Sequence, residues 1–162
     1  MSEIVVIAHN IRSTHNVGAI FRTSEGFGVS KIILSGYTPY PSVKNDTRLP
    51  HISNKLTAQI HKTALGAEAI VPFEYQETLD LESLRNAGFR IVGLEQDGSS
   101  IMLPDYRPHE KTVLLLGEEV EGITDELRHA CDDLIEIPME GQKESFNVSV
   151  ATGIALYALR FN

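Results

Sequence analysis

Six short apolar runs, separated by segments of helical period, leave this chain few ways to fold. Ile4–Ala8, Lys31–Leu34, Ala69–Phe73, Phe89–Leu94, Thr112–Leu116 and Leu134–Ile137 are rich in β-branched and aliphatic residues and read as strands. Their apolar residues are consecutive rather than alternating, so each strand must be buried on both faces. Helical patterns fill the gaps. They run from an Asn16 cap to the Gly26-Phe27-Gly28 stop, from Ser53 to Leu65, from Leu79 to Ala87, from a Thr124 cap to Ala130, and from Phe146 to Leu159. Doubly buried strands alternating with helices predict an α/β fold, a mostly parallel sheet with helices on both faces. A single domain over residues 1–162 is expected. Ser35–Pro50 contains Pro39, Pro41 and Pro50 together with Gly36, Asn45 and Asp46, a loop too long to be a mere connection.

Composition agrees with that architecture. A chain of 162 residues can bury roughly 70% of the surface its unfolded form exposes, so one core suffices. Hydrophobic residues make up 42% and charged residues 22%, which sets the chain apart from disordered sequences. No apolar stretch reaches the roughly 20 residues of a membrane span. Met1–Asn10 lacks the basic flank and cleavage site of a secretory signal, so Ile4–Ala8 reads as a first strand. Without such a signal, the glycosylation patterns at Asn45-Asp46-Thr47 and Asn147-Val148-Ser149 read as chance matches or as residues serving another role, and a cytoplasmic setting is expected. The lone Cys131 excludes an internal disulfide and a thiolate metal cluster. His9, His15, His51, His61, His109 and His129 show no ligand spacing, and no metal is expected.

A net charge of -8 speaks against a polyanionic partner until its distribution is considered. Within residues 1–55, Arg12, Arg22, Lys31, Lys44, Arg48 and Lys55 meet only Glu3, Glu25 and Asp46. The remainder carries eight basic against nineteen acidic residues. The N-terminal third therefore holds the candidate basic patch, although charge alone describes an uneven solvated surface equally well.

Three segments beyond strand ends carry more than a turn requires. Asn16-Val17-Gly18-Ala19-Ile20-Phe21-Arg22 opens a helix with a glycine and sets Arg22 one turn after Gly18. Taken alone it is an ordinary capped helix with a surface arginine. Gly117-Glu118-Glu119-Val120-Glu121-Gly122 ends an apolar strand. It lacks the Lys-Ser/Thr of a phosphate loop, and its glutamates suit a cationic or polyhydroxyl ligand better than an anion. Ser145-Phe146-Asn147-Val148-Ser149 opens the last helix. Ser145 is a ready N-cap, whereas Asn147 and Ser149 put polar groups into an apolar helix. No Gly-x-Ser-x-Gly elbow, Cys/His pair or Gly-x-Gly-x-x-Gly motif is present.

In this order the segments resemble the three motifs of the TrmH-type (SpoU) RNA methyltransferases of the SPOUT superfamily. Asn16, Gly18 and Arg22 match Asn-x-Gly-x-x-x-Arg. Gly117, Glu119 and Gly122 match Gly-x-Glu-x-x-Gly, and Ser145–Ser149 is similar to the third motif, with Phe146 at its variable apolar position. The likeness covers nearly the whole chain, including Ala64–Glu68 and Ile137-Pro138-Met139. It implies S-adenosyl-L-methionine as methyl donor, an RNA ribose 2′-hydroxyl as acceptor, a C-terminal trefoil knot and a homodimer. By position, Leu94, Gly117, Glu119, Ile137, Ser145, Phe146 and Asn147 would hold the donor. Asn16, Arg22, Glu119, Ser145 and Asn147 would carry catalysis, with Arg22 facing the methyl group from the partner subunit. A guanidinium keeps its proton too tightly for an ordinary base, so Arg22 is expected to orient the hydroxyl and stabilise the developing alkoxide.

The chain shows no appended RNA-binding segment, so RNA recognition is expected from Arg12, Arg22, Lys44, Arg48 and Lys55, or from an accessory protein. The analogy favours tRNA over rRNA. A non-catalytic RNA- or adenosylmethionine-binding module of the same fold is the alternative. An α/β enzyme acting on a small nucleotide fits the acidic 117–122 loop poorly.

Overall fold

Side chains along the first strand, β1 (Glu3–His9), divide between two cores: Ile4, Val6 and Ala8 enter one, and Val5 and Ile7 the other. That division repeats across the sheet of this computed structural model, which describes residues 1–162. The other strands are β2 (Lys31–Ser35), β3 (Phe73–Gln76), β4 (Arg90–Leu94), β5 (Ile101–Met102), β6 (Lys111–Leu116) and β7 (Asp133–Glu136). They form one seven-stranded sheet in the order β3-β2-β1-β6-β4-β7-β5, and every neighbouring pair is parallel. The expected α/β architecture is therefore observed, with a sheet that is wholly parallel.

Five helices cover the two faces: α1 (Thr14–Gly26), α2 (Pro50–Ala64), α3 (Leu81–Asn86), α4 (Asp125–Ala130) and α5 (Val148–Phe161). The larger core receives Val17, Ile20 and Phe21 of α1, Ile60 and Ala64 of α2, and Ala155, Leu156 and Leu159 of α5. Leu81 and Leu84 of α3, with Leu127 and Ala130 of α4, pack on the opposite face. Each fully buried Leu, Ile or Phe contributes about 1.5–3 kcal/mol, so the face bearing α1, α2 and α5 holds most of the fold's apolar stabilisation. No helix is long and apolar enough to cross a membrane.

Several boundaries differ from the sequence expectation, each for a local reason. Ser13, rather than Asn16, caps α1, its hydroxyl accepting from Asn16 N at 3.1 Å. Asn147, rather than Ser145, caps α5, accepting from Ser149 N and Val150 N. The second helix begins at Pro50 instead of Ser53, since proline's fixed φ suits the first helical turn. β3 starts four residues later than Ala69, because the left-handed pair Leu65 and Gly66 leads into a 3-10 turn over Ala67–Ala69. β5 was not foreseen; its two residues pair with β7 at the sheet edge.

Candidate active site

The chain reverses its strand order around β6, β4 and β7, and a cleft of about 400 Å3 opens beyond their carboxyl ends. Ligand sites of parallel sheets form at such positions. Leu94–Gln96 follow β4, Leu116–Gly122 end and follow β6, Glu136 and Ile137 end β7, and Glu144–Val148 lead into α5. All seven residues singled out for the methyl donor line this one cleft: Leu94, Gly117, Glu119, Ile137, Ser145, Phe146 and Asn147.

Two glycines shape the floor. A Cβ on Gly117 would lie 2.6 Å from the Gly122 carbonyl and from Ile123 N. The 117–122 segment therefore folds back on itself, closed by Glu118 N to Gly122 O at 3.1 Å and Gly122 N to Glu118 O at 2.9 Å. Gly122 has φ +71°, and a Cβ there would overlap the Glu95 carboxylate. Glu95 in turn accepts from Ile123 N at 2.7 Å and Gln96 N at 3.0 Å. Sequence reasoning missed Glu95. It sits alone after β4, and only the glycine that makes room for it gave a signal.

Asn16, Glu119 and Asn147 come from three distant segments and meet in one hydrogen-bonded chain. Glu119 accepts from Asn16 Nδ2 at 3.4 Å and from the backbone amides of Arg12 (3.4 Å) and Ser13 (3.5 Å). Asn147 Nδ2 donates to Asn16 Oδ1 at 3.3 Å. Capping by Ser13 leaves the Asn16 side chain free for this role, while Asn147 caps α5 and reaches Asn16 together. Ser145 lines the cleft.

The cleft's charge follows from its lining. Glu95, Glu118, Glu119, Glu121, Glu136 and Glu144 surround it, and no lysine or arginine does. Leu94, Leu116, Val120, Ile137, Phe146 and Val148 supply apolar walls. Such a site favours a ligand with a cationic centre beside a flat apolar ring. An S-adenosylmethionine, with a sulfonium and an adenine, fits that donor set. No group of three or more His, Cys, Asp or Glu is placed to hold a metal ion.

No basic residue lines this cleft, and Arg48 departs from the expectation. Gly18 faces α2, where a Cβ would overlap Thr63 and the Ile60 carbonyl, so its small size serves helix packing rather than ligand approach. Arg22 is exposed on α1 and lies outside the cleft of its own chain. Arg48 is committed to its loop: it pairs bidentately with Asp46 (3.0 and 2.6 Å), donates to the Tyr40 and Pro41 carbonyls, and stacks 3.5 Å from the Tyr40 ring. Arg12, Lys44 and Lys55 are exposed.

Residues 3–157 match the model of the SpoU rRNA methylase family. The chain belongs to that family. The SpoU chain is 32% identical over 155 residues to the tRNA (guanosine(18)-2′-O)-methyltransferase of Aquifex aeolicus, covering 96% of this chain and 67% of that one. It is also 32% identical over 160 residues to the 23S rRNA (guanosine-2′-O-)-methyltransferase RlmB of Pseudomonas aeruginosa, covering 96% of this chain and 58% of that one. Among solved structures it superposes on an AdoMet-bound rRNA methyltransferase from Sinorhizobium meliloti with TM-score 0.80 at 27% identity, over 98% of this chain and 56% of that one. The chain spans roughly half to two thirds of the length of the curated relatives it matches, from 45% to 67%.

Proposed function

We propose that this SpoU chain transfers a methyl group from S-adenosyl-L-methionine to a ribose 2′-hydroxyl of RNA. The observation that carries the reading is the meeting of Asn16, Glu119 and Asn147 at the wall of a carboxylate-rich cleft beyond β4, β6 and β7. tRNA is favoured over rRNA, because the tRNA enzyme of Aquifex aeolicus is the relative whose length the chain covers more fully.

When bound, the donor presents a sulfonium whose methyl carbon is the electrophile. The cleft's glutamates compensate its positive charge, and Leu94, Ile137 and Phe146 offer apolar surface to the adenine. Backbone groups of Leu94, Gly117, Ile137, Ser145 and Phe146 hold its polar edges. Arg22 orients the acceptor hydroxyl and stabilises the negative charge that develops on its oxygen as the hydroxyl proton passes to solvent and the bond between the methyl carbon and sulfur breaks. Such positioning accounts for about 7–11 kcal/mol of barrier in favourable cases.

Arg22 meets the donor only if it comes from a second subunit, and one side of α5 supports a homodimer. Val150, Ile154, Tyr157 and Phe161 are exposed at spacings of four, three and four residues, a continuous apolar stripe. We also infer the trefoil knot. Its support is the insertion of β6 between β1 and β4, with the 136–148 segment running back along the cleft formed by the 94–96 and 116–122 loops. RNA recognition by Arg12, Lys44 and Lys55, with or without an accessory protein, in the cytoplasm completes the reading.

The decisive experiment is transfer from labelled S-adenosyl-L-methionine to unmodified tRNA and rRNA fractions, followed by nucleoside analysis. A 2′-O-methylated nucleoside in the tRNA fraction is expected. Arg22→Ala should abolish transfer and leave donor binding unchanged; normal turnover in that variant would remove Arg22 from the mechanism.

A further inference from the structure

A second cleft, open and about 650 Å3 in volume, lies between the loop after β2, the start of α1 and the middle of α2. Its residues include Tyr37, Tyr40 and Tyr75 with Arg12 and Arg48, and no carboxylate. In a chain of net charge -8, an aromatic and cationic groove without acids is complementary to a polyanion. One wall is rigid. Tyr40 and Tyr75 stack with centroids 4.2 Å apart, the Tyr75 hydroxyl donates to the Gly36 carbonyl at 2.5 Å, and Arg48 is locked as described above.

Tyr37 and Arg12 are the unspent groups. Tyr37 is 48% exposed and its ring has no aromatic partner, the Arg12 guanidinium lying 5.6 Å from its centroid. Arg12 makes no ion pair, and its side chain is exposed. The Gln59 amide, also in this cleft, makes no hydrogen bond and is free to read a base edge. The two clefts share a wall. Arg12, whose guanidinium lies over the Tyr37 ring, donates its backbone N–H to Glu119 of the donor cleft at 3.4 Å.

We propose that this second cleft is a nucleobase-binding subsite for the RNA strand, where Tyr37 stacks on an unpaired base beside the target ribose and Arg12 contacts its phosphate. The proposal rests on the methyl-transfer reading above and deepens it. A ribose held in a continuous base stack cannot bring its 2′-hydroxyl into a cleft walled by three loops, so the neighbouring nucleotides must leave the stack. An exposed aromatic ring with an adjacent guanidinium recovers the lost stacking for any base, because every base has a π-face. Bases read through Gln59 would add preference to this general affinity.

The test uses the full chain and a short single-stranded oligoribonucleotide carrying 2-aminopurine, whose fluorescence is quenched on stacking. The wild-type protein should bind and quench it. Tyr37→Ala should lose the quench and weaken binding about ten-fold or more. Tyr37→Phe should retain both, since stacking needs the ring and not the hydroxyl. Arg12→Ala should weaken binding and reduce the salt slope by about 0.7 to 1. Calorimetry with S-adenosyl-L-methionine should give wild-type affinity for all three, which reports intact folding. Wild-type affinity and quench in Tyr37→Ala would overturn the proposal. So would loss in Tyr37→Phe equal to that in Tyr37→Ala, which would assign the effect to the phenolic hydroxyl and not to the ring. Because the oligonucleotide assay contains no donor, it judges this subsite even if the methyl-transfer reading fails.

Discussion

The Asn147 side-chain amide donates to Oδ1 of Asn16 at 3.3 Å, joining residues 131 positions apart. Asn16 passes the link on, its Nδ2 reaching Glu119 at 3.4 Å. A carboxamide is the side chain that can accept at one end and donate at the other, so Asn16 is the hinge pin between the first and last motifs. Asn16→Asp keeps the acceptor for Asn147 but sets a second carboxylate against Glu119. Repulsion between the two should displace the 117–122 segment and weaken S-adenosyl-L-methionine binding about ten-fold near neutral pH, read by calorimetry. Wild-type affinity would show that the hydrogen-bonded chain does not hold the cleft.

Gly122 makes a second, independent prediction about the same loop. Its φ of +71° disfavours a side chain, and a Cβ would overlap the Glu95 carboxylate that accepts from Ile123 N. Gly122→Ala should therefore push Glu95 aside, destabilise the fold by about 1–3 kcal/mol and reduce donor affinity. For a chain of this size, the melting temperature should fall by roughly 2–4 °C per kcal/mol. Gly141 has open space around it, so Gly141→Ala is the control and should leave both quantities unchanged.

These two residues also mark what was legible in the sequence. The strands were legible because Ile32–Leu34 or Val113–Leu116 are apolar at every position, which only a doubly covered sheet can accommodate. The cleft was legible as three motifs, though not through helix-capping rules. Ser13 and Asn16 are both good N-caps, and the choice between them is made by Glu119, which lies more than a hundred residues away. The same competition between Ser145 and Asn147 is decided by Asn147's place at the start of α5. Arg48 looked free for RNA because its partner Asp46 is only two residues back, in a loop whose turn no period reveals. The packing role of Gly18 was not legible because nothing in the sequence shows that α2 crosses there.

The apolar stripe on α5 predicts an assembly and its cost when broken. Tyr157 and Phe161 also approach Phe27 of the loop after α1, with ring centroids 6.3 and 6.4 Å away, so the exposed patch is wider than one helix. In a two-fold dimer each substitution is felt twice. Ile154→Glu should convert the protein to monomer in sedimentation experiments and abolish methyl transfer. Each isolated cleft should meanwhile keep part of its donor affinity. A variant that remains dimeric would move the interface away from α5.

Part of the pH dependence of stability should be set where β4 and β7 begin. Arg90 donates to both Asp133 oxygens at 2.6 and 2.9 Å, and the Tyr106 hydroxyl donates to Asp133 at 2.9 Å. The Arg90 hydrogen bonds hold the Asp133 carboxyl below its usual range despite burial, whereas burial and then Asp133 push the Tyr106 phenol up. A depressed carboxyl contributes stability that is complete above its unfolded value, about 3.9, and is lost as pH falls through the folded value. A raised phenol contributes stability that is complete below about 10 and is lost as pH rises. Asp133→Asn should cost about 1–3 kcal/mol at neutral pH. The lower end is favoured because Arg90, 41% exposed, can turn to water, whereas Asp133 is only 14% exposed. In that variant, the melting temperature should depend less on pH below about 4. Tyr106→Phe should flatten the alkaline limb and leave most of the acid limb in place. If both variants keep the wild-type profile on both limbs, the acid and alkaline sensitivity of the fold must arise elsewhere than where β4 and β7 begin.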